Sequence, residues 1–211
     1  LLDLAKIEAG EMELNYVRLD LARLVRTVAA NFEALAEQRA MTYIVEVPDQ
    51  LGAEIEPDKY ERIVVNLLAN AFKFTPDAGW IRCRLESSRS GYALLSVQDS
   101  GPGVAPEQRA EVFDRFHQGR GSGQSGGTGL GLAIVKQFAE LHGGTVTLTD
   151  APGGGALFQV EIPLVAPDTS YVRVGDAAVE RRFHDEELAQ AHHCVAEDRQ
   201  IRQGDEKARE K

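Results

Sequence analysis

Three polar side chains stand out in YERIVVNLLANAFKFTP, residues 60–76: Asn66, Asn70 and Lys73. At about 100° per residue they fall together at i, i+4 and i+7 of one helix. Val64, Leu67, Leu68, Ala71 and Phe72 form a broad apolar face on the other side. A helix with that face is buried, and buried amides cost free energy unless something bonds to them. Two amides and one cation would suit a phosphate group and its metal ion. The same stripe would also suit an amphipathic helix facing water. Such faces, however, usually carry Glu, Lys and Arg rather than spaced Asn.

Asp99 is the second informative residue. In YALLSVQD, Ala93, Leu95, Val97 and Asp99 share one face of a strand. A carboxylate on the inward face needs donors, and the exocyclic amine of a nucleobase is one. Gly101 and Gly103 follow in DSGPGV, where they let the backbone turn closely against a flat ligand. A plain Gly-Pro turn capped by Asp is the alternative. The third stretch is GGTGLGLAIVKQ, residues 126–137, with glycines at 127, 129 and 131 around the start of a helix. Backbone amides and the helix dipole make an anion site there; a flexible linker before a helix is the other reading. The stretch lacks the strand–turn–helix unit of a dinucleotide fingerprint and the GK[ST] of a P-loop.

The surrounding pattern must position these residues. Residues 1–13 are helix-forming but too short to stand alone in water. Residues 14–19 read as a strand. Asp20 is a candidate N-cap for a helix running to about Gln38, with Leu21, Leu24, Val25, Val28, Phe32 and Leu35 at helical spacing. Tyr43, Val45 and Val47 alternate as in a strand ended by Pro48. WIRCRLE and YALLSVQD read as a hairpin. The PGGG turn at 152–155 joins two further strands, which carry Val146, Leu148, Phe158, Val160 and Ile162. Residues 100–129 are rich in Gly, Ser, Gln and Pro, the composition of a functional or mobile loop. Helical spacing resumes at Leu130 and stops at Gly143-Gly144. Strands apolar on one face imply a mixed, mostly antiparallel sheet covered on one side. The expected fold is a two-layer α/β (α+β) sandwich with three covering helices.

Composition narrows the function. The chain has 211 residues and a net charge of −10, with no basic block to engage nucleic acid. Cys83 and Cys194 are far apart and form neither a disulfide framework nor a zinc signature. The first residue is Leu, and the pattern begins mid-helix, so we expect a segment of a longer protein. The organisation expected is a helix end at 1–13, one domain at 14–164 and a charged, partly helical linker or tail at 165–211.

Taken in order, these motifs resemble the catalytic and ATP-binding domain of sensor histidine kinases, in the superfamily that includes gyrase and mismatch-repair ATPases. NLLANAFKFT resembles the N box, DSGPGV the first glycine box, VFDRFHQG the F box and GTGLGL the second glycine box. LLDLAKIEAGEMEL resembles the end of the second dimerisation helix. The resemblance covers residues 1 to about 164 and implies a Bergerat-type ATP-binding fold. It implies that Asn70 ligates Mg²⁺, with Asn66 near the same ion and Lys73 on the phosphates. Asp99 would read the adenine amine, and Gly101 and Gly103 would shape its pocket. Phe113 and Phe116 would anchor a lid spanning 100–129, with Arg115 directed at phosphate. Gly127, Thr128, Gly129, Leu130 and Gly131 would cradle the phosphates, and Thr145 would support the adenine site.

The implied reaction is transfer of the γ-phosphoryl of ATP to a histidine, leaving ADP. In gyrase-like relatives a Glu four residues before the metal Asn is the general base; that position here is Asn66, which cannot take a proton. Glu61, the other acid on the helix, is rotated away from the stripe. A gyrase-type ATPase, a regulatory module that binds nucleotide without transferring phosphate and a serine kinase acting on a protein regulator are the rival readings. His117, His142, His184, His192 and His193 all lack the family's phosphoacceptor context, so the acceptor histidine is expected on a dimerisation helix outside the chain. For His142 a helix-end interaction is expected. The implied partners are that dimerisation domain, a response-regulator receiver domain and a second copy in a homodimer. The implied location is the cytoplasm, within a protein that can be membrane-anchored.

Overall fold

The computed structural model describes residues 14–88, 90–116, 129–167 and 170–174. The expected helix end at 1–13 and most of the tail lie outside these residues. A five-stranded sheet forms the main layer, in the order β2 (Thr42–Glu46), β4 (Trp80–Ser87), β5 (Tyr92–Asp99), β7 (Ala156–Pro163), β6 (Thr145–Asp150). β2 and β4 run parallel and the other neighbours antiparallel, so the sheet is mixed and mostly antiparallel as expected. Ile81, Cys83 and Leu85 of β4, Ala93, Leu95 and Val97 of β5, and Phe158, Val160 and Ile162 of β7 form its buried face. Burial pushes the Cys83 thiol up to about 12, so this side chain behaves as a core residue.

The helices α1 (Leu21–Ala30), α2 (Glu33–Gln38), α3 (Pro57–Phe74) and α4 (Gly131–Leu141) are the α-helices among the described residues. Asp20 caps α1 as expected: its Oδ1 accepts from the N–H of Ala22 at 3.1 Å and of Leu51 at 3.0 Å. The single helix expected over 21–38 is broken. Asn31 turns its side-chain amide back onto the Thr27 carbonyl at 3.0 Å, taking a bond that the next turn would have made. Phe32 then drops into the core and stacks on Phe72 of α3, with ring centroids 5.2 Å apart. Three expected helices therefore become four.

The strand β3 (Gly52–Ile55) was not apparent from sequence. It pairs antiparallel with β1 (Val17–Asp20), from Val17↔Ile55 to Asp20↔Gly52. On the other side of β1 lies β8 (Arg173–Val174), parallel, beyond the domain end expected at 164. Glu56 then caps α3 by accepting from the N–H of Lys59 at 2.8 Å, with Pro57 in the first turn. No helix among the described residues is long and apolar enough to cross a membrane.

Candidate functional site

The α3 helix runs across the sheet with its apolar face inward. Ile63, Val64, Leu67, Leu68 and Phe72 are fully buried, whereas Asn66, Asn70 and Lys73 are half-buried along one edge. At 1.5 Å per residue, Asn66 and Phe74 lie about 12 Å apart along the axis. Each end of that span meets a different part of the chain.

At the Asn66 end stands the start of α4. The side-chain Nδ2 of Asn66 donates to the Arg62 carbonyl at 2.7 Å. Its Oδ1 faces Gly131 so closely that a Cβ there would lie 2.6 Å away. Leu130 supplies no side-chain cap to α4. Among the described residues no side chain is seen to cap the first-turn N–H groups of α4, the end at which a helix favours an anion. Asn70, one turn further along α3, makes no side-chain hydrogen bond among the described residues. The Lys73 ammonium lies 5.3 Å from the centre of the Phe74 ring.

At the Phe74 end stands Asp99, the last residue of β5 and only 4% exposed. Its Oδ1 accepts from the N–H of Gly101 at 2.8 Å and from that of Ala156 at 3.4 Å. Both bonds converge on one oxygen, and Oδ2 makes no hydrogen bond among the described residues. Burial raises the Asp99 carboxyl above its usual range, while the two backbone bonds pull the other way. A Cβ on Gly101 would meet both Asp99 Oδ1 and the Phe74 carbonyl oxygen at 2.9 Å. Gly103, at φ +70°, lies against the Gly155 carbonyl. Gly131 is thus brought against Asn66, and Gly101 with Asp99 against Phe74, at two places along α3.

Several expected residues sit elsewhere. Thr145 is exposed at the opposite end of its hairpin from Asp99. It pairs with Glu161, five residues along β7 from Ala156, about 17 Å at strand rise. It cannot support a base held at Asp99. The residues that do reach Asp99 are Gly155 and Ala156, at the near end of the same hairpin. The PGGG turn was the signal for them, and only the strand register shows which end of the hairpin approaches.

Phe113, expected as a lid anchor, packs edge-on against Phe158 with centroids 6.3 Å apart. Phe116 is 65% exposed, so its ring is not packed as that of Phe113 is. Its backbone has φ +60°, and its N–H donates to the Gly129 carbonyl at 2.9 Å, so it joins the two ends of the segment between them. Arg115 lies beside Phe113 at a recess formed with Lys136, Gln137 and Glu140 of α4. Residues 104–113, expected in the lid, are tied to the domain. Arg109 donates to the Val104 carbonyl at 3.0 Å and pairs with Asp150 at 2.6 Å. Gly127 and Thr128 lie outside the described residues.

His142 links the two site helices at their far ends. It is 3% exposed; its Nδ1–H donates to the Phe138 carbonyl at 2.6 Å and its Nε2 accepts from the Glu56 N–H at 3.2 Å. That pattern requires the neutral ring, not the charged helix-end partner of a dipole. Burial is the main reason its pKa is lowered from 6.5. The unfolded chain therefore takes up this proton before the folded one. The stabilisation is fully present above about pH 6.5 and falls away as pH drops towards the folded value. Chemical denaturation between pH 8 and 5 is expected to show that loss, and His142→Gln should flatten the curve.

Residues 55–166 match the model of the family described as histidine kinase-, DNA gyrase B-, and HSP90-like ATPase. The chain belongs to this family. Within it, the sensor histidine kinase TmoS of Ectopseudomonas mendocina is 55% identical over 174 residues, 82% of this chain. The hybrid signal transduction histidine kinase D of Dictyostelium discoideum is 42% identical over 172 residues, 78% of this chain. The chain spans only 18% and 11% of those two proteins. The catalytic domain of histidine kinase ThkA superposes with a TM-score of 0.64 at 25% identity, covering 74% of this chain and 100% of that one. Full-length ShkA, solved in complex with AMPPNP, gives 0.63 at 31% identity, covering 74% of this chain and 32% of that one. The fold is that of the catalytic, ATP-binding domain of a histidine kinase.

Proposed function

We propose that this chain is the kinase core of a two-component sensor protein, passing the γ-phosphoryl group of ATP to a histidine on a dimerisation helix. Adenine would bind at Asp99, with its amine donating to Oδ2 and its flat face against the Gly101–Gly103 turn. The phosphates would extend along α3 towards the N-terminus of α4, meeting Lys73, Leu130 and the backbone at Gly131, with Gly127, Thr128 and Gly129 completing the cradle. Asn70, with its amide lacking a partner among the described residues, fits a Mg²⁺ ligand, and Asn66 lies one turn away. A hard cation of this kind takes a few protein oxygens beside phosphate and water, and when bound it neutralises charge on the phosphates. The 12 Å between the two ends of the site suits a nucleoside triphosphate.

The observation that carries transfer rather than hydrolysis is the amide at residue 66. Water must lose a proton to become a strong nucleophile, and Asn66 cannot accept one. Its Nδ2 is already committed to the Arg62 carbonyl. A neutral imidazole brings its own lone pair. Its nitrogen forms the N–P bond as the bond from γ-phosphorus to the ADP oxygen breaks. Positioning and charge neutralisation then supply the rate. The acceptor histidine, the second subunit and a response-regulator receiver domain would be supplied by the longer protein, with this domain in the cytoplasm.

Calorimetry of the chain with ADP and with ATP, with and without Mg²⁺, tests the reading. We expect Mg²⁺-dependent binding, and Asn70→Ala should weaken it by at least about tenfold. With γ-labelled ATP, label should move to a supplied dimerisation domain and not to water. Absence of nucleotide binding, or steady hydrolysis by the chain alone, would overturn the reading.

A further inference from the structure

Arg39 lies in the turn after α2, outside the four sequence motifs, yet its side chain is only 10% exposed. Its Nη1 donates to the Phe72 carbonyl and its Nη2 to the Thr75 carbonyl, the latter at 2.7 Å. Its Nε pairs with Asp77 at 2.7 Å. The last carbonyls of a helix lack partners within the helix and carry the negative end of its dipole. Here one guanidinium serves the Phe72 carbonyl in the last turn and the carbonyl of the C-cap residue Thr75, from a segment more than thirty residues away in sequence. The backbones are joined as well: Ala78 N–H donates to the Arg39 carbonyl at 3.0 Å, and Thr42 N–H to that of Gly79 at 2.9 Å.

What is clamped in this way is the end of α3 that carries Lys73 and Phe74. Beyond it the packing leaves little freedom. A Cβ on Gly79 would lie 2.6 Å from Thr75 Cγ2 and 2.8 Å from Ser100 Oγ. Ser100 Oγ accepts from the Trp80 N–H at 2.8 Å, and Gly101 rests against the Phe74 carbonyl. The end of α3, the turn at 75–79 and the Asp99–Gly101 turn therefore form one block, and Arg39 holds it from behind. We infer that Arg39 is a positioning residue for nucleotide binding, setting the last turn of α3 so that Lys73 and the Phe74–Gly101 wall face the ligand. This rests on the nucleotide site proposed above. Lysine has one ammonium and no planar fork, so it cannot serve both carbonyls and the carboxylate at once.

The test is calorimetry of Mg-ADP with the 211-residue chain and with Arg39→Ala, Arg39→Lys and Asp77→Asn, at a temperature where circular dichroism shows each folded. Arg39→Ala is expected to weaken binding by about tenfold, with Arg39→Lys recovering only part of it. Asp77→Asn removes only the charge of a carboxylate that is itself 59% exposed, and should stay within about twofold of the parent. A purely structural Arg39 would lower the melting temperature and leave the dissociation constant of the folded protein unchanged, which would overturn the inference. If Arg39→Ala does not fold, unchanged affinity in Arg39→Lys overturns it equally. Failure of the parent chain to bind Mg-ADP would instead remove the nucleotide site, and the inference with it.

Discussion

Gly155→Ala is expected to cost this chain about 3 kcal/mol or more of stability and most of its nucleotide affinity. A Cβ at residue 155 would lie 1.8 Å from the Asp99 carbonyl oxygen, 2.7 Å from its carbon and 3.0 Å from Ser100 Cα. All three are backbone atoms, so no rotamer change relieves the clash. Either the end of β5 moves or the hairpin between β6 and β7 does. Residue 155 also has φ +97°, a conformation that side chains with a Cβ rarely adopt. For a domain of this size the loss would lower the melting temperature by about 10 °C. Binding should suffer with it, because Ala156, the next residue, donates to Asp99. The neighbouring glycines provide the control. Gly153 and Gly154 have φ +93° and +99°, and a Cβ on either meets nothing within 4 Å. Their alanine variants should pay the conformational cost alone, about 1 kcal/mol. Equal melting temperatures for Gly154→Ala and Gly155→Ala would refute the close approach to Asp99.

That contact also shows where sequence reading stops. A glycine-rich turn is visible as a turn, but which glycine touches another strand depends on register across β5 and β7. The same ignorance of register misplaced Thr145: it is on the right hairpin and at the wrong end. Helical spacing was more informative. Asn66, Asn70 and Lys73 lie on one edge of α3 because 3.6-residue periodicity is local and strong. Asp99 was legible through its alternation with Leu95 and Val97, since a strand has only two faces. Phe113 and Phe116 look equivalent as FxxF, yet one is packed and one exposed, because the backbone at Phe116 turns left-handed. The break at Asn31 comes from a side-chain bond that competes with the helix, and spacing of apolar residues does not register it. Arg39 is not legible in the sequence for a different reason. Its partners are carbonyls, which every residue has, so nothing in the side-chain sequence marks them.

Asp99→Asn should separate binding from folding, with about a hundredfold loss of adenine-nucleotide affinity and no loss of stability. The substitution keeps an oxygen that can accept from Gly101 and Ala156 at the position of Oδ1. The other atom becomes an amide nitrogen, a donor that would face the donor amine of adenine in the proposed pose. Binding loses a charge-assisted bond and gains a buried unpaired donor. Stability should move the opposite way, because burial raises the Asp99 carboxyl and so disfavours its charged form in the fold. The sign follows from linkage. A group whose folded pKa is raised contributes fully below the unfolded value, near 3.9, and loses that contribution as pH rises through the folded one. At neutral pH the parent therefore carries the cost of an ionised buried carboxylate, and the neutral amide does not. Melting temperatures at pH 7 should be equal or higher in Asp99→Asn. Calorimetry with ADP should show weakened binding. A variant that binds as the parent does would mean that Oδ2 never meets the base. One that unfolds would mean that the carboxylate holds the Gly101–Gly103 turn together, and the site would then owe its shape to Asp99 more than its selectivity.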